Sequence, residues 1–361
     1  MAGSCRIACE VFCGDGQWRR DGDTLILSPA AAPPLGLALG EIRGISGDGF
    51  SLILQAPAGP VELSKMGADG VSLLRILRRD WLLLRAKTLR LCGNEKPPLF
   101  CGHAAVPDAT CPFNGMVVDD RLILAPEGGD LACIFLCDFQ SVQFDQAAYA
   151  VTGSGWNGQT WRFSRLGGAT AAFAAALQQA RDGLAVAAEQ TMARYLPTLT
   201  AAGRAQLARQ WLPGRMMTFA TLERLAPGFV AAFEQSWLAA GPRRDSGKVL
   251  MQGADCWLGY RPADNGEPPW LWLLARHDQS WSLEQLAYQD YATYRFQAGD
   301  ELPGLVETVV RLPEFSREAL YQPLAGLVAD QAGYAIAARD FAMLRELRAR
   351  FAERKIHAPA A

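Results

Sequence analysis

The sequence predicts an α+β protein whose first half is a duplicated unit of short strands closed by a helix. One observation is an internal repeat. The stretch Thr24–Pro29 recurs as Arg121–Pro126, a shift of 97 residues, and at that shift Leu39-Gly40-Glu41-Ile42 falls on Leu136-Cys137-Asp138-Phe139. Ser64-Lys65-Met66-Gly67 then falls on Ser164-Arg165-Leu166-Gly167, at a shift of 100. The extra residues lie in one turn, where Ala56–Gly59 gives way to Gly153–Gly158. The other observation is a change of period: short apolar runs between turn residues give way, in each copy, to apolar residues at helical spacing.

In the first copy, strands are expected near 5–13, 17–20, 24–28, 35–40, 42–46, 49–55 and 60–64. Gly14-Asp15-Gly16, Asp21-Gly22, Pro33-Pro34, Gly47-Asp48-Gly49 and Pro57-Ala58-Gly59 supply turn chemistry between them. Val71, Leu74, Leu77, Trp81 and Leu84 then mark a helix, with Arg75, Arg78, Arg79 and Arg85 between them. The second copy repeats the order, with strands near 99–106, 113–118, 121–125, 131–137, 139–144, 146–151 and 159–164 and a helix over 168–183. The glycines at 67 and 167 stand where the last strand turns sharply into the helix.

Seven short strands and a capping helix, the paired Leu-Ile-Leu strands, the acidic-apolar steps Glu41-Ile42 and Asp138-Phe139, and the two Ser-(Lys/Arg)-(Met/Leu)-Gly steps together resemble tandem pleckstrin-homology-like (PH-like) domains. The overall composition and the ending Leu344–Phe351 with Ile356-His357 resemble large uncharacterised bacterial proteins. The resemblance implies two bent, nearly closed barrels, over 1–95 and 96–183, each plugged at one corner by its helix. It implies binding of lipid headgroups, peptides or proteins, and seldom catalysis.

Beyond the repeats, 184–245 is rich in Ala, Leu, Gln and Arg and is broken by Pro197, Pro213-Gly214 and Pro227-Gly228, which predicts a connector of several short helices. Phe229, Ala232, Phe233 and Trp237 keep helical spacing, and Gly241–Gly247 marks a boundary. Residues 246–361 read as a C-terminal α+β domain. Strands fall at Val249–Met251, Cys256–Tyr260, Trp270–Leu274 and Tyr291–Phe296, a hairpin turn at Asp264-Asn265-Gly266, and helices over 302–311, 318–330 and 334–354. A divergent third PH-like copy is the open alternative for this domain, although no stretch aligns with the first two.

Of 361 residues, half are hydrophobic and 20% charged, and the net charge is −2. That is material for packed cores, and it disfavours a nucleic-acid binder working through bulk charge. No apolar segment follows Arg6 as a secretory signal would require, and no stretch approaches the roughly 20 apolar residues of a membrane span. A cytoplasmic location is expected, with the odd count of nine cysteines held reduced.

Gly153–Gly158 matches G-x-G-x-x-G, yet Gln159–Phe163 reads as a strand where a dinucleotide site needs a helix. Cys5, Ile7, Cys9, Val11 and Cys13 alternate as one face of a strand, as do Leu131, Cys133, Phe135 and Cys137, so core filling explains both cysteine series. Cys92, Cys101, His103 and Cys111 gather at the junction of the copies, but their spacing matches no zinc motif. No cofactor and no metal site is expected.

These residues predict a non-catalytic binding or scaffolding protein that recognises a protein or peptide partner, with self-association left open. The expected mode is an extended segment laid between an edge strand and a closing helix. Candidate binding residues are Trp18, Arg19 and Arg20 in the early hairpin and Arg75, Arg78 and Arg79 on the first helix. The first three also define a peripheral binder of anionic membranes. An enzyme is the remaining alternative, its site lined by Trp257, Tyr260, Trp270, Trp272, His277 and Trp281 at the junction with the C-terminal domain.

Overall fold

Alternating apolar residues and turn-forming glycines and prolines make two sheets of the same strand order. The computed structural model describes residues 2–48, 50–89, 91–92, 96–106, 109–126, 131–238, 255–262, 269–286, 291–297, 299–300, 302–312, 342–351 and 355–357. The first sheet comprises β1 (Ala2–Cys9), β2 (Phe12–Asp21), β3 (Thr24–Pro29), β4 (Leu35–Ala38), β5 (Ile45–Gly47), β6 (Ser51–Ala56) and β7 (Gly59–Ser64), in the order β4-β3-β2-β1-β7-β6-β5. A 3-10 turn over Leu39–Glu41 joins β4 to β5, and α1 (Ala68–Thr88) follows β7.

The second sheet comprises β8 (Phe100–Val106), β9 (Ala109–Val118), β10 (Arg121–Pro126), β11 (Ala132–Phe135), β12 (Phe139–Asp145), β13 (Ala150–Gly155) and β14 (Thr160–Ser164). Its order is β11-β10-β9-β8-β14-β13-β12, with a 3-10 turn over Leu136–Asp138 and α2 (Thr170–Tyr195) after β14. The glycine motif lies in the β13–β14 hairpin, where Ser154 pairs with Thr160 and the Gly155 N–H donates to the Gln159 carbonyl at 2.7 Å. A strand follows it, as its context predicts, so no helix N-terminus faces the glycines.

The first hairpin departs from expectation. Its turn is at Glu10-Val11, because Cys9 pairs with Phe12, and Gly14 and Gly16 lie inside β2. A Cβ on Gly16 would stand 2.6 Å from the Ile7 Cδ1 and 2.8 Å from the Ser28 carbonyl, so close strand packing demands that glycine. Cys5, Cys9 and Cys13 therefore do not share one strand. Cys5 is buried, Cys9 half-buried and Cys13 exposed, and Val11 stands at the turn, 88% exposed. Cys133 and Cys137 are both buried, although Cys137 sits in the 3-10 turn after the strand.

On α1 the inward stripe is Leu73, Leu74, Leu77 and Trp81, whereas Val71 faces out and Arg85 is buried with its guanidinium over the Trp81 ring at 4.8 Å. The Trp81 indole donates to the Ile42 carbonyl at 2.7 Å. At the matching place beside the second sheet, Arg181 Nε donates to the Phe139 carbonyl at 2.9 Å. Backbone strain also coincides: φ is 57° at Lys65 and 56° at Arg165, then 59° at Gly67 and 58° at Gly167. α2 runs well past the expected end near 183. Leu184, Ala188 and Met192 are buried at helical spacing, and the first proline is Pro197.

Register exposes a trade of volume between the two cores. In the first sheet Gly3 faces Trp18 and Cys5 faces Gly16, whereas in the second Phe100 faces Gly115 and Gly102 faces Phe113. Large and small residues have changed sides of each pair. Trp18 is buried in the first core, and in the second Phe100 and Phe113 pack with Phe163 and Phe173 at ring separations of 5.0–6.2 Å. Gly3 makes room for it, since a Cβ there would lie 2.9 Å from the indole nitrogen.

By its contacts the chain separates into two compact units. The first takes in Met1–Ile134 and Ser141–Leu177, and the second takes in Phe135–Gln140, Gln178–Leu324 and Glu346–Ala361. The second unit contains α3 (Ala201–Gln210), β15 (Met217–Thr218), α4 (Phe219–Leu225) and α5 (Phe229–Ala232), which continues as a π-helical turn over Phe233–Trp237. Thr200 and Thr218 cap α3 and α4 through their hydroxyls, and Gly214 and Gly228 take positive φ at the predicted breaks.

There follow β16 (Asp255–Arg261), β17 (Trp270–Arg276), β18 (Ser280–Leu286), β19 (Tyr291–Gln297), α6 (Pro303–Arg311), α7 (Ala342–Phe351) and β20 (Lys355–His357). The strands form an antiparallel meander, β15-β16-β17-β18-β19-β20, unlike the order of the first two sheets, so topology does not support a third copy. The expected strand at Val249–Met251, the turn at 264–266 and the helix over 318–330 lie outside the described residues. Among the described residues no helix is long and apolar enough to cross a membrane.

Trp18→Ala should lower stability by about 3–5 kcal/mol, the cost of emptying a large aromatic site. The pair exchange Gly3→Phe with Trp18→Gly imitates Phe100–Gly115 and should recover part of that loss in urea unfolding. A double variant no more stable than Trp18→Ala would show that the two cores are not equivalent.

Candidate functional site

Two of the six candidate residues, Arg75 and Arg79, come together in one groove of the first unit. Ser72, Arg75, Ile76 and Arg79 recur along one stripe of α1, and with Lys96, Pro97, Pro98 and Leu99 they line a groove of about 420 Å³. Arg75, Arg79 and Lys96 are exposed cations over a floor that includes Ile76 and Leu99. One residue around the helix, Arg78 lines a separate cleft of about 370 Å³ with Gly47, Cys101, Gly102, His103, Pro112, Phe113, Asn114 and Arg165. The Arg78 guanidinium donates to the Gly47 carbonyl at 3.2 Å, and the Cys101 thiol to Asn114 Oδ1 at 3.2 Å. Burial raises the pKa of the Cys101 thiol, against the opposing pull of Arg78 and Arg75, so it adds no negative charge to the cleft at neutral pH.

The other three candidates part company. Trp18 is 1% exposed and belongs to the core, which removes it from any binding surface. Arg20 is half-buried and hydrogen-bonds Asp80 and, at 2.8 Å, the Gly22 carbonyl. Arg19 alone of the three is exposed. At the repeat's register the counterparts of Trp18-Arg19-Arg20 are Gly115-Met116-Val117. Asp80 is the anchor of this corner. Burial pushes its carboxyl upward, but hydrogen bonds from Arg79 and Arg20 outweigh that and hold it below its ordinary value.

Cys101 and His103 share one face of β8, but Cys111 pairs with Ala104 and so points to the other face. Among the described residues no three of His, Cys, Asp or Glu form a metal-binding group. The aromatic residues of the second unit are packed as core. Trp257 lies 5.5 Å from Trp281, Trp270 lies 6.0 Å from Trp272, and Tyr260 lies 4.6 Å from Trp211 and donates to its carbonyl. His277 meets the Ser282 hydroxyl at 3.2 Å. Tyr260, Trp272 and Trp281 are buried, and Trp257 and Trp270 are half-buried.

A polar cluster in the second unit centres on Arg311, which bonds Asp138, Glu307 at 3.1 Å and the Gly214 carbonyl at 3.3 Å. Glu307 also accepts the Met216 N–H. Burial raises the Asp138 pKa, against the attraction of Arg311. Its groups satisfy one another, which is the signature of a structural tie. Lys96, His103 and Arg165 belong to the two depressions and were not among the expected binding residues. Arg165 is the cationic member of the repeated step before each helix, the one signal that marked it. No protein-family model matches this chain, and no curated protein sequence matches it.

Asp80→Asn should cost about 1–2 kcal/mol at neutral pH, as expected for charge-assisted bonds that are partly buried. Because the folded carboxyl titrates below its unfolded value, this stabilisation is complete above roughly pH 4 and is lost as pH falls through the folded pKa. Urea midpoints of wild type and variant should therefore converge on acidification. Arg311→Met should cost about 2–4 kcal/mol by leaving Asp138 and Glu307 without their cation, measured the same way.

Proposed function

We propose that this protein is a non-catalytic binding protein with two PH-like domains, and that it holds an acidic peptide segment of a partner in the groove along α1. The shared strand order, the paired 3-10 turns, the matching positive φ values and the exchanged core pairs support a duplication. The observation that carries the binding reading is the groove itself: Arg75, Arg79 and Lys96 stand over the apolar surface of Ile76, Pro97, Pro98 and Leu99. Cations at the rim with an apolar floor suit a segment that alternates acidic and apolar side chains. The matching face of α2 carries Ala175 and Gln179 in place of Arg75 and Arg79, so the groove belongs to one copy only.

An extended segment between an edge strand and the closing helix fits the first sheet less well. There, between β5 and α1, the cleft at Gly47 and Arg78 is also lined by β8 and β9, leaving space for a side chain or small molecule. Anionic membrane binding has lost the support of Trp18 and of Arg20.

Selection from a random peptide display library should enrich acidic-apolar sequences on the wild-type protein. Arg75→Glu with Arg79→Glu should weaken those peptides by about 30-fold or more, since two favourable charge contacts become repulsive. Absence of enrichment, or enrichment that survives both reversals, would refute the groove as the binding site.

A further inference from the structure

The cleft beside the groove has a different chemistry. Its polar groups come from three separate places: the guanidinium of Arg78 from α1, the imidazole of His103 from β8, and the guanidinium of Arg165 from the step between β14 and α2. Among the described residues that line it there is no carboxylate. Arg78 is held in place by its bond to the Gly47 carbonyl, so part of its freedom is already spent before a ligand arrives. Arg165 is fixed differently. Its backbone lies in the left-handed region, with φ of 56°, and the end of β14 is pressed against β8 so closely that a Cβ on Gly102 would stand 2.7 Å from the Ser164 carbonyl. Asn114 adds an amide, and Pro112 and Phe113 an apolar wall.

Two guanidiniums, an imidazole and an amide around about 370 Å³ make a receptor for a compact, multiply charged anion. A guanidinium fork matches the oxygens of a phosphoryl group two at a time, and a group bearing close to two negative charges gains from both arginines at once. We infer that this cleft binds a phosphoryl group, borne either on a small molecule or on a phosphorylated side chain. The site is independent of the α1 groove, since neither Arg75 nor Arg79 lines it. The counterpart of Arg78 on α2 is Gln178, so α2 does not repeat this cation.

The geometry provides its own control. Lys65 has the same backbone strain as Arg165, occupies the matching step before α1, and does not line the cleft. Asparagine tolerates the left-handed region, so Arg165→Asn and Lys65→Asn each remove one charge with little backbone cost. Isothermal titration of the full chain with inorganic pyrophosphate and with a phosphoserine peptide, circular dichroism verifying the fold, decides the matter. Wild type should bind at least one probe, Arg165→Asn and Arg78→Gln should each weaken it about tenfold or more, and Lys65→Asn should leave it unchanged. Tighter binding of pyrophosphate would assign the ligand to free phosphorylated molecules, and tighter binding of the peptide to a modified protein. No binding of either at about 10 mM, the weak end of specific recognition, would overturn the inference, as would equal loss in the two asparagine variants.

Discussion

The hydrogen bond from the Trp81 indole to the Ile42 carbonyl is the constraint from which the first sheet's outer face follows. A buried carbonyl without a donor is costly, so the helix must dock with Trp81 over the end of the 3-10 turn. That register sends Leu73, Leu74 and Leu77 into the sheet. The same rotation places Arg75 and Arg79 along one depression and Arg78 in another. Asp80, between them, is taken up by Arg20 and Arg79 and closes the corner. The cationic surface thus follows from how the helix is anchored, and part of it borders the second sheet's first strands.

Much of this architecture could be read from spacing, because period and turn chemistry report local geometry directly. The strand counts, the two closing helices and the hairpin at Gly153–Gly158 are of that kind. The failures share a physical cause: the deciding partner is remote in sequence. Gly14 and Gly16 resemble a turn until Ile7 pairs with Gly14 and the Ser28 carbonyl closes on Gly16. β18 was missed because Ser282, Glu284 and Gln285 look solvent-facing, yet they are buried, and Thr293 on the neighbouring strand donates to Glu284 at 2.7 Å. Trp18 resembled a surface anchor because its vacancy, Gly3, is set by pairing register and not by proximity. For the candidate site the arginines of α1 were legible as a stripe, whereas Lys96, His103 and Arg165 depend on which elements meet.

The two sheets show how differently one strand order can be filled. Their core pairs have swapped large for small, and the helix faces have separated into arginine-rich and glutamine-alanine surfaces. The two depressions lie along α1 and where the sheets meet, the second of them walled in part by residues of β8 and β9 and by Arg165. In the second unit the aromatic residues pack ring against ring, and Arg311 ties Asp138 to Glu307.

At the anchoring bond the donors differ in kind, an indole in Trp81 and a guanidinium in Arg181, while the acceptor in both is a main-chain oxygen. Substitution can exchange a donor but cannot delete a backbone carbonyl. The part of this contact common to both sheets is thus invisible to any comparison of side-chain identity. Two units can be joined in the same way while sharing almost none of the letters that make the joint.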